Sequence, residues 1–278
     1  MGIELVVLDF DGTLTDVDKE AVSFVDGYKN DLVKDLGIRR FKLEDLWNEA
    51  ESIVDNNQAS YGWKVDGKIV APAYADPFIH SDSVAAVLMD KAGMYLTEEE
   101  RQAALGRYFQ SNYEKTTTVF KKETDKFLSA IKKKFEVFIV TNSRTHMVTR
   151  KIKQLPTDHS GIPVLGSAKK YLLSPEWKEV PESVEKEGFG RPLFLRRQQY
   201  WNVLSGIMSE QGARPENVAV VGDIYELDLL LPEHKGMNII LTTRESTPKF
   251  EVEAVRTSSL GYAAKTLTEV LAHLESYH

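Results

Sequence analysis

The sequence predicts an α/β protein, a doubly wound parallel sheet into which a mostly helical domain is inserted. Three observations carry that expectation. Leu5-Val6-Val7-Leu8 is apolar at every position, and strands without polar alternation belong to parallel sheets covered on both faces. A second such run, Val218-Ala219-Val220-Val221, lies near the other end of the chain. Up to residue 119 the pattern after the first run is chiefly helical; beyond it, strands and helices alternate, as a parallel sheet requires.

Taken in order, core strands are expected at 4–8, 136–141, 162–165, 218–221 and 238–241. A helix over 122–134 places Phe127, Leu128 and Ile131 on one side. It ends in Lys132-Lys133-Lys134, which suits the negative end of a helix dipole; a solvated helix end is the favoured reading of that run. A helix over 198–211 carries Tyr200, Trp201, Leu204, Ile207 and Met208 at amphipathic spacing, and Gly212 stops it. Segments 20–36, 43–54, 81–92 and 97–113 read as amphipathic helices of the insertion. Thr97-Glu98-Glu99-Glu100 reads as a capping box for the last of them. About a hundred such residues between two core strands make a domain in their own right, so the expected division is 1–15 with 119–278, and 16–118.

Two stretches do not fit this alternation. Residues 58–77 hold Tyr61, Trp63, Val65, Ile69, Val70 and Tyr74, with Asp66-Gly67 between two short apolar runs, the signature of a hairpin turn. These aromatics either line a pocket or fasten the loop to its own domain. Residues 156–197 are broken by Pro156, Pro163, Pro175, Pro181 and Pro192. Their acidic part, 175–188, reads as an exposed excursion, and the stretch has no role assigned from sequence.

Composition bounds the function. At 278 residues, with 42% hydrophobic and 28% charged residues, one large or two modest soluble domains are expected. A net charge of −7 argues against a nucleic-acid-binding surface. There are no cysteines, which excludes disulfides, thiolate metal sites and cysteine nucleophiles. No apolar run approaches the roughly 20 residues of a membrane helix. Glu4 and Asp9 interrupt the N-terminal apolar run and no basic leader precedes it. A cytoplasmic protein that binds neither nucleic acid nor membrane is expected. The six histidines show no metal-ligand spacing, and no GxxxxGK phosphate loop is present.

The chemistry is concentrated where the apolar strands end. The first is followed by Asp9-Phe10-Asp11-Gly12-Thr13, and the last-but-one by Gly222-Asp223 with Asp228 beyond. Open parallel sheets bind ligands beyond the carboxyl ends of their strands, so these acids are delivered to one edge. With Phe10 facing the other way, one carboxylate of the first pair can attack while the other handles a proton.

Asp9-Phe10-Asp11-Gly12-Thr13 resembles the first motif of the haloacid dehalogenase-like hydrolase superfamily. Val140-Thr141-Asn142 resembles its second motif and Gly222-Asp223-Ile224-Tyr225-Glu226-Leu227-Asp228 its fourth, in the family's order. The resemblance covers the catalytic core and implies a Rossmann-like fold with a helical cap at 16–118. It implies a magnesium-dependent phosphohydrolase acting on a small phosphorylated metabolite through an aspartyl-phosphate. Asp9 is then the nucleophile, and Asp11 the general acid and base. Magnesium would be held by Asp9, the backbone carbonyl of Asp11, Asp223 and Asp228. Thr141 would donate to a phosphoryl oxygen with help from Asn142; a helix N-cap is the structural alternative for the triplet Thr141-Asn142-Ser143. Glu226 reads as a surface residue. For the cation of the third motif Arg197 is favoured, with Arg196, Arg191, Lys169 and Lys170 as alternatives. Trp63 is the candidate for substrate selection in the cap. Alternatives on the same fold are a haloacid dehalogenase, which needs neither the metal nor Asp11, a phosphomutase, or a non-catalytic binding protein.

Overall fold

The computed structural model describes residues 2–95 and 97–277. In chain order they form β1 (Leu5–Leu8), α1 (Val17–Leu36), α2 (Arg40–Asp55), β2 (Gly62–Val65), β3 (Lys68–Pro72), α3 (Pro77–Lys91), α4 (Glu98–Tyr113), α5 (Thr124–Ile131), β4 (Glu136–Val140), α6 (Thr145–Ile152), β5 (Val164–Leu165), β6 (Ser183–Val184), β7 (Leu193–Phe194), α7 (Gln198–Gln211), β8 (Val218–Gly222), α8 (Leu230–His234), β9 (Asn238–Thr242), α9 (Lys249–Thr257), β10 (Gly261–Ala264) and α10 (Leu267–Glu275). The chain divides into two compact units, Met1–Asp16 with Phe120–His278, and Val17–Val119.

The larger unit is built on a six-stranded sheet in the order β10-β9-β8-β1-β4-β5, parallel throughout. All four residues of β1 are buried because it lies in the interior of the sheet with strands on both sides. Side chains alternate along it. Val6, Leu8 and Phe10 join a core with Phe127, Leu128 and Ile131 of α5, which turns Asp9 to the opposite face. Phe10 meets Phe120 edge-on at 6.1 Å. An antiparallel bridge, Thr15 to Phe120, sets the two crossings between the units side by side.

The chain leaves β1 for β4 and β5 on one side and returns to β8, β9 and β10 on the other. The switch point therefore falls at β1. α7 ends as its sequence requires, with Gly212 in the left-handed region at φ 65°. The strand β10 was absent from the expected set: Gly261-Tyr262-Ala263-Ala264 is half-buried along most of its length and carries no apolar run. The stretch expected to be an exposed excursion is also different. It contains the hairpin β6–β7, and Trp177, Val180 and Phe189 are buried. Phe189 packs on Tyr225 and Phe250.

The smaller unit has its own core, drawn from α1 through α4 and including Phe24, Tyr28, Trp47, Phe78 and Leu105. Asp66 at φ 49° and Gly67 at φ 75° turn β2 into β3, the backbone that a two-residue hairpin of right-handed twist requires. Thr97 and Glu100 form the reciprocal capping box of α4. Among the described residues no helix is long and apolar enough to cross a membrane.

Candidate active site

Strand register builds the site. Leu8 is level with Ile139 of β4 and with Val221 of β8. One or two residues further on, Asp9, Thr141 and Asp223 leave the sheet at the same edge, at its switch point. Asp228 joins them from the single wide turn Tyr225–Leu229, wound with i→i+5 bonds, a device that recurs at functional sites. Its Oδ2 accepts the Ile224 N–H at 3.0 Å. Carboxylate oxygens of Asp9, Asp223 and Asp228 all lie within 4.8 Å of one another, and all three residues are buried. Two glycines make the approach possible. A Cβ on Gly12, which sits at φ 79°, would stand 2.0 Å from Asp223 Oδ2, and one on Gly222 would stand 2.3 Å from Asp228 Cβ.

Burial raises the Asp9 pKa well above the ordinary carboxylate value; Lys170 pulls it back, and Asp228 and Asp223 push it up again. The Lys170 Nζ lies 2.7 Å from Asp9 Oδ1 and 2.8 Å from Asp228 Oδ1, with the residue only 1% exposed. Burial works to lower its pKa, but Asp228 and Asp9 outweigh it and hold the ammonium above the usual lysine value. The loop that carries it takes an unusual path, with Ser167 and Lys169 in the left-handed region at φ 55° and 49°. Such conformations cost of order 1 kcal/mol or more for non-glycine residues. Asn142 Oδ1 accepts the Lys170 N–H at 2.8 Å and fixes the loop. Arg244 Nη2 stands 3.8 Å from Asp223 Oδ2.

Asp11 has different neighbours. Its Oδ2 accepts from the Ser143 hydroxyl at 2.6 Å, and Lys151 Nζ lies 3.5 Å from its Oδ1. Among the described residues the metal-competent carboxylates are those of Asp9, Asp223 and Asp228, without the Asp11 side chain. Three buried carboxylates with only oxygen donors suit a hard divalent cation such as magnesium.

The haloacid dehalogenase-like hydrolase family matches residues 3–231. The chain belongs to that family. The hydrolase is similar in fold to a predicted phosphoglycolate phosphatase of Haemophilus somnus 129PT, at 16% identity over 98% of this chain and 97% of that one, with a TM-score of 0.56. It is similar to the haloacid dehalogenase-like family protein SP0104 of Streptococcus pneumoniae, at 16% identity over 98% of each chain and a TM-score of 0.57. It is also similar to magnesium-bound YfnB of Bacillus subtilis, at 12% identity over 99% and 100% of the chains and a TM-score of 0.54. A search of curated proteins by sequence found no match.

Within this hydrolase, Asp9, Asp223, Asp228 and Thr141 stand at the same sheet edge. Thr141 is buried and its Oγ1 accepts the Ser143 N–H at 3.1 Å. Neither it nor Asn142 caps α6, whose N-cap is Arg144 without a side-chain bond. Arg197, favoured from sequence for the third-motif cation, has partners of its own. Arg197 is fully buried, but its guanidinium donates to Lys170 O, Phe194 O and Glu226 Oε1 at 2.6, 3.0 and 3.1 Å. Lys170 is the cation on Asp9. Glu226, read as a surface residue, is buried between Arg197 and Arg191. Trp63 belongs to the smaller unit, where its ring meets Phe109 edge-on at 5.5 Å and its indole N–H donates to Asp82. Ser143 and Lys151 were missed. Ser143 was visible only as a member of a capping-type triplet, and Lys151 looks like any basic residue of a last helical turn.

Proposed function

We propose that this hydrolase is a magnesium-dependent phosphatase of small phosphorylated metabolites. One observation carries the reading: Asp9, Asp223 and Asp228 converge in burial beside Lys170, while Asp11 stands apart from them on its own donors. A dehalogenase reaction would use Asp9 but has no need of an acid at Asp11 or of a cation-binding carboxylate set.

The residues act in two steps. An Asp9 carboxylate oxygen attacks phosphorus, and the ester P–O bond breaks. Asp11 gives its proton to the leaving oxygen, which departs as an alcohol. Asp11 then takes a proton from water, whose oxygen attacks the phosphorus of the aspartyl-phosphate. The acyl-phosphate P–O bond breaks, restoring the Asp9 carboxylate and releasing inorganic phosphate. Lys170 keeps Asp9 in line and offsets the charge that gathers there. Thr141, at the same edge, would donate to a phosphoryl oxygen. Magnesium, held by Asp9, Asp223, Asp228 and the Asp11 carbonyl, would neutralise phosphate charge. To the helical unit 17–119 we assign the role of a cap that selects the substrate.

The test is phosphate release from a panel of phosphate monoesters, with magnesium and with chelator. Turnover is expected only with the metal, and Asp223→Asn should raise the magnesium concentration needed for half-maximal rate by about tenfold or more. Undiminished release under chelator would contradict the reading, as would halide release from a haloacid without phosphatase activity.

A further inference from the structure

We infer that Lys151, together with Ser143, is a positioning residue that fixes the Asp11 carboxylate for proton transfer to the leaving oxygen and from the attacking water. The inference rests on the phosphatase reading and adds to it a residue outside the motifs that carried that reading.

Asp11 sits on a turn. Phe10 before it is locked in the core, and Gly12 after it reverses the chain at φ 79°. Its side chain is partly exposed, at 23%, so sheet packing alone leaves its χ angles free to rotate. Donors from the segment just after β4 restrict it. The Ser143 hydroxyl holds Oδ2 at 2.6 Å, and Lys151 Nζ stands 3.5 Å from Oδ1. With one donor on each oxygen, the plane of the carboxylate is set as well as its direction. General acid catalysis depends on that, because the proton must lie within hydrogen-bond reach of one particular ester oxygen.

Lys151 is an unusual residue to find there. It lies in the last turn of α6, where lysines ordinarily extend into water, yet it is buried. Its ammonium lies 5.6 Å from the Phe10 ring centroid. Burying an ammonium is costly unless a counter-charge meets it, and an apolar side chain would pack against Phe10 without that cost. Packing therefore does not account for the charge, whereas Asp11 does. Asp9 and Asp11 thus have separate lysines, Lys170 from the 166–170 loop and Lys151 from α6. The two acids can be held in different orientations although one residue separates them. The role assigned to Lys151 is to act through Asp11.

The test compares Lys151→Met and Ser143→Ala with the wild type on two esters in the presence of magnesium. p-Nitrophenyl phosphate expels a stable phenolate that needs no proton; an alkyl phosphate expels an oxygen that does. kcat/KM covers only the first phosphoryl transfer, and kcat also includes water attack. In both variants kcat/KM for the alkyl ester should fall by roughly 10–10²-fold, a part of the 10²–10⁴ that acid–base catalysis supplies. For the aryl ester kcat/KM should fall far less, while its kcat drops because Asp11 no longer activates water efficiently. If both esters lose kcat/KM by one common factor in a folded variant, Lys151 merely packs α6, and the inference is overturned. Should Lys151→Met fail to fold, the same comparison on Ser143→Ala decides. A wild type that releases phosphate from no ester overturns the phosphatase reading and this inference with it. A common factor in an active wild type overturns this inference alone.

Discussion

Lys170 and Arg197 are both cations sealed from solvent, and they hold different parts of the site. Lys170 touches Asp9 and Asp228; Arg197 touches Glu226 and the Lys170 carbonyl. Their substitutions should therefore fail differently. Arg197→Met takes one arginine partner from buried Glu226, Arg191 remaining on it, and should cost about 1–3 kcal/mol of stability, seen as a lower denaturant midpoint. Lys170→Met should cost turnover first, by roughly 10²-fold or more, in a protein that still folds with magnesium present. Equal losses of activity and stability in both variants would remove the distinction. The four acids were legible because apolar strands point at them and because Asp-x-Asp-Gly-Thr is a compact pattern. Lys170 was not, since it lies on an irregular loop shaped by left-handed Ser167 and Lys169, which no periodicity marks. Glu226 was misread for a related reason: its buried partners, Arg191 and Arg197, come from the same irregular stretch.

At the scale of elements, a buried acid links three pieces of the helical unit. Asp82 of α3 accepts from the Tyr28 hydroxyl of α1 and from the Trp63 indole of β2. Burial raises its pKa from 3.8 to about 6, although these two hydrogen bonds pull it down. Because the folded value exceeds the unfolded one, this group's contribution to stability is fully present below about pH 4 and is lost as pH rises through about 6. Asp82→Asn keeps the shape without the charge. A plot of melting temperature against pH should lose part of its decline between those limits; curves parallel to the wild type would contradict the assignment. Trp63→Ala, at a half-buried ring, should cost on the order of 2 kcal/mol, below the roughly 3–5 of a fully buried aromatic. A changed ratio of rates between substrates, with stability intact, would instead return Trp63 to substrate selection. The β2–β3 hairpin was legible through Asp66-Gly67, which supplies the turn's backbone. β6 and β7 were not, because strands of two residues leave no alternation to read. β10 escaped because, Tyr262 apart, its residues are small and most of them are only half-buried.

Across the whole molecule, topology explains why so few residues make a site. Placing β1 between β4 and β8 puts the switch point of the sheet at the Asp9 strand end, and level registers bring Thr141 and Asp223 to the same edge. The insertion leaves directly after that strand end, at residue 16, and returns at 120, so the catalytic loop and the crossings between units are neighbours in sequence. The delivery of the acids to one sheet edge was legible from the apolar runs that precede them; the placing of β1 at the switch point was not. The cations that complete it were not, because they arrive from loops and a helix turn whose spacing is set only by tertiary packing.

In the proposed reaction Asp9 carries the phosphoryl group. The most direct measurement is to quench the enzyme in acid during turnover of a phosphate ester with magnesium. Borohydride then reduces any acyl-phosphate to the alcohol, and peptide mass spectrometry locates it. Conversion of aspartate to homoserine at position 9 is expected, abolished in Asp9→Asn together with turnover. Reduction at any other acid, or undiminished phosphate release by Asp9→Asn, would contradict it.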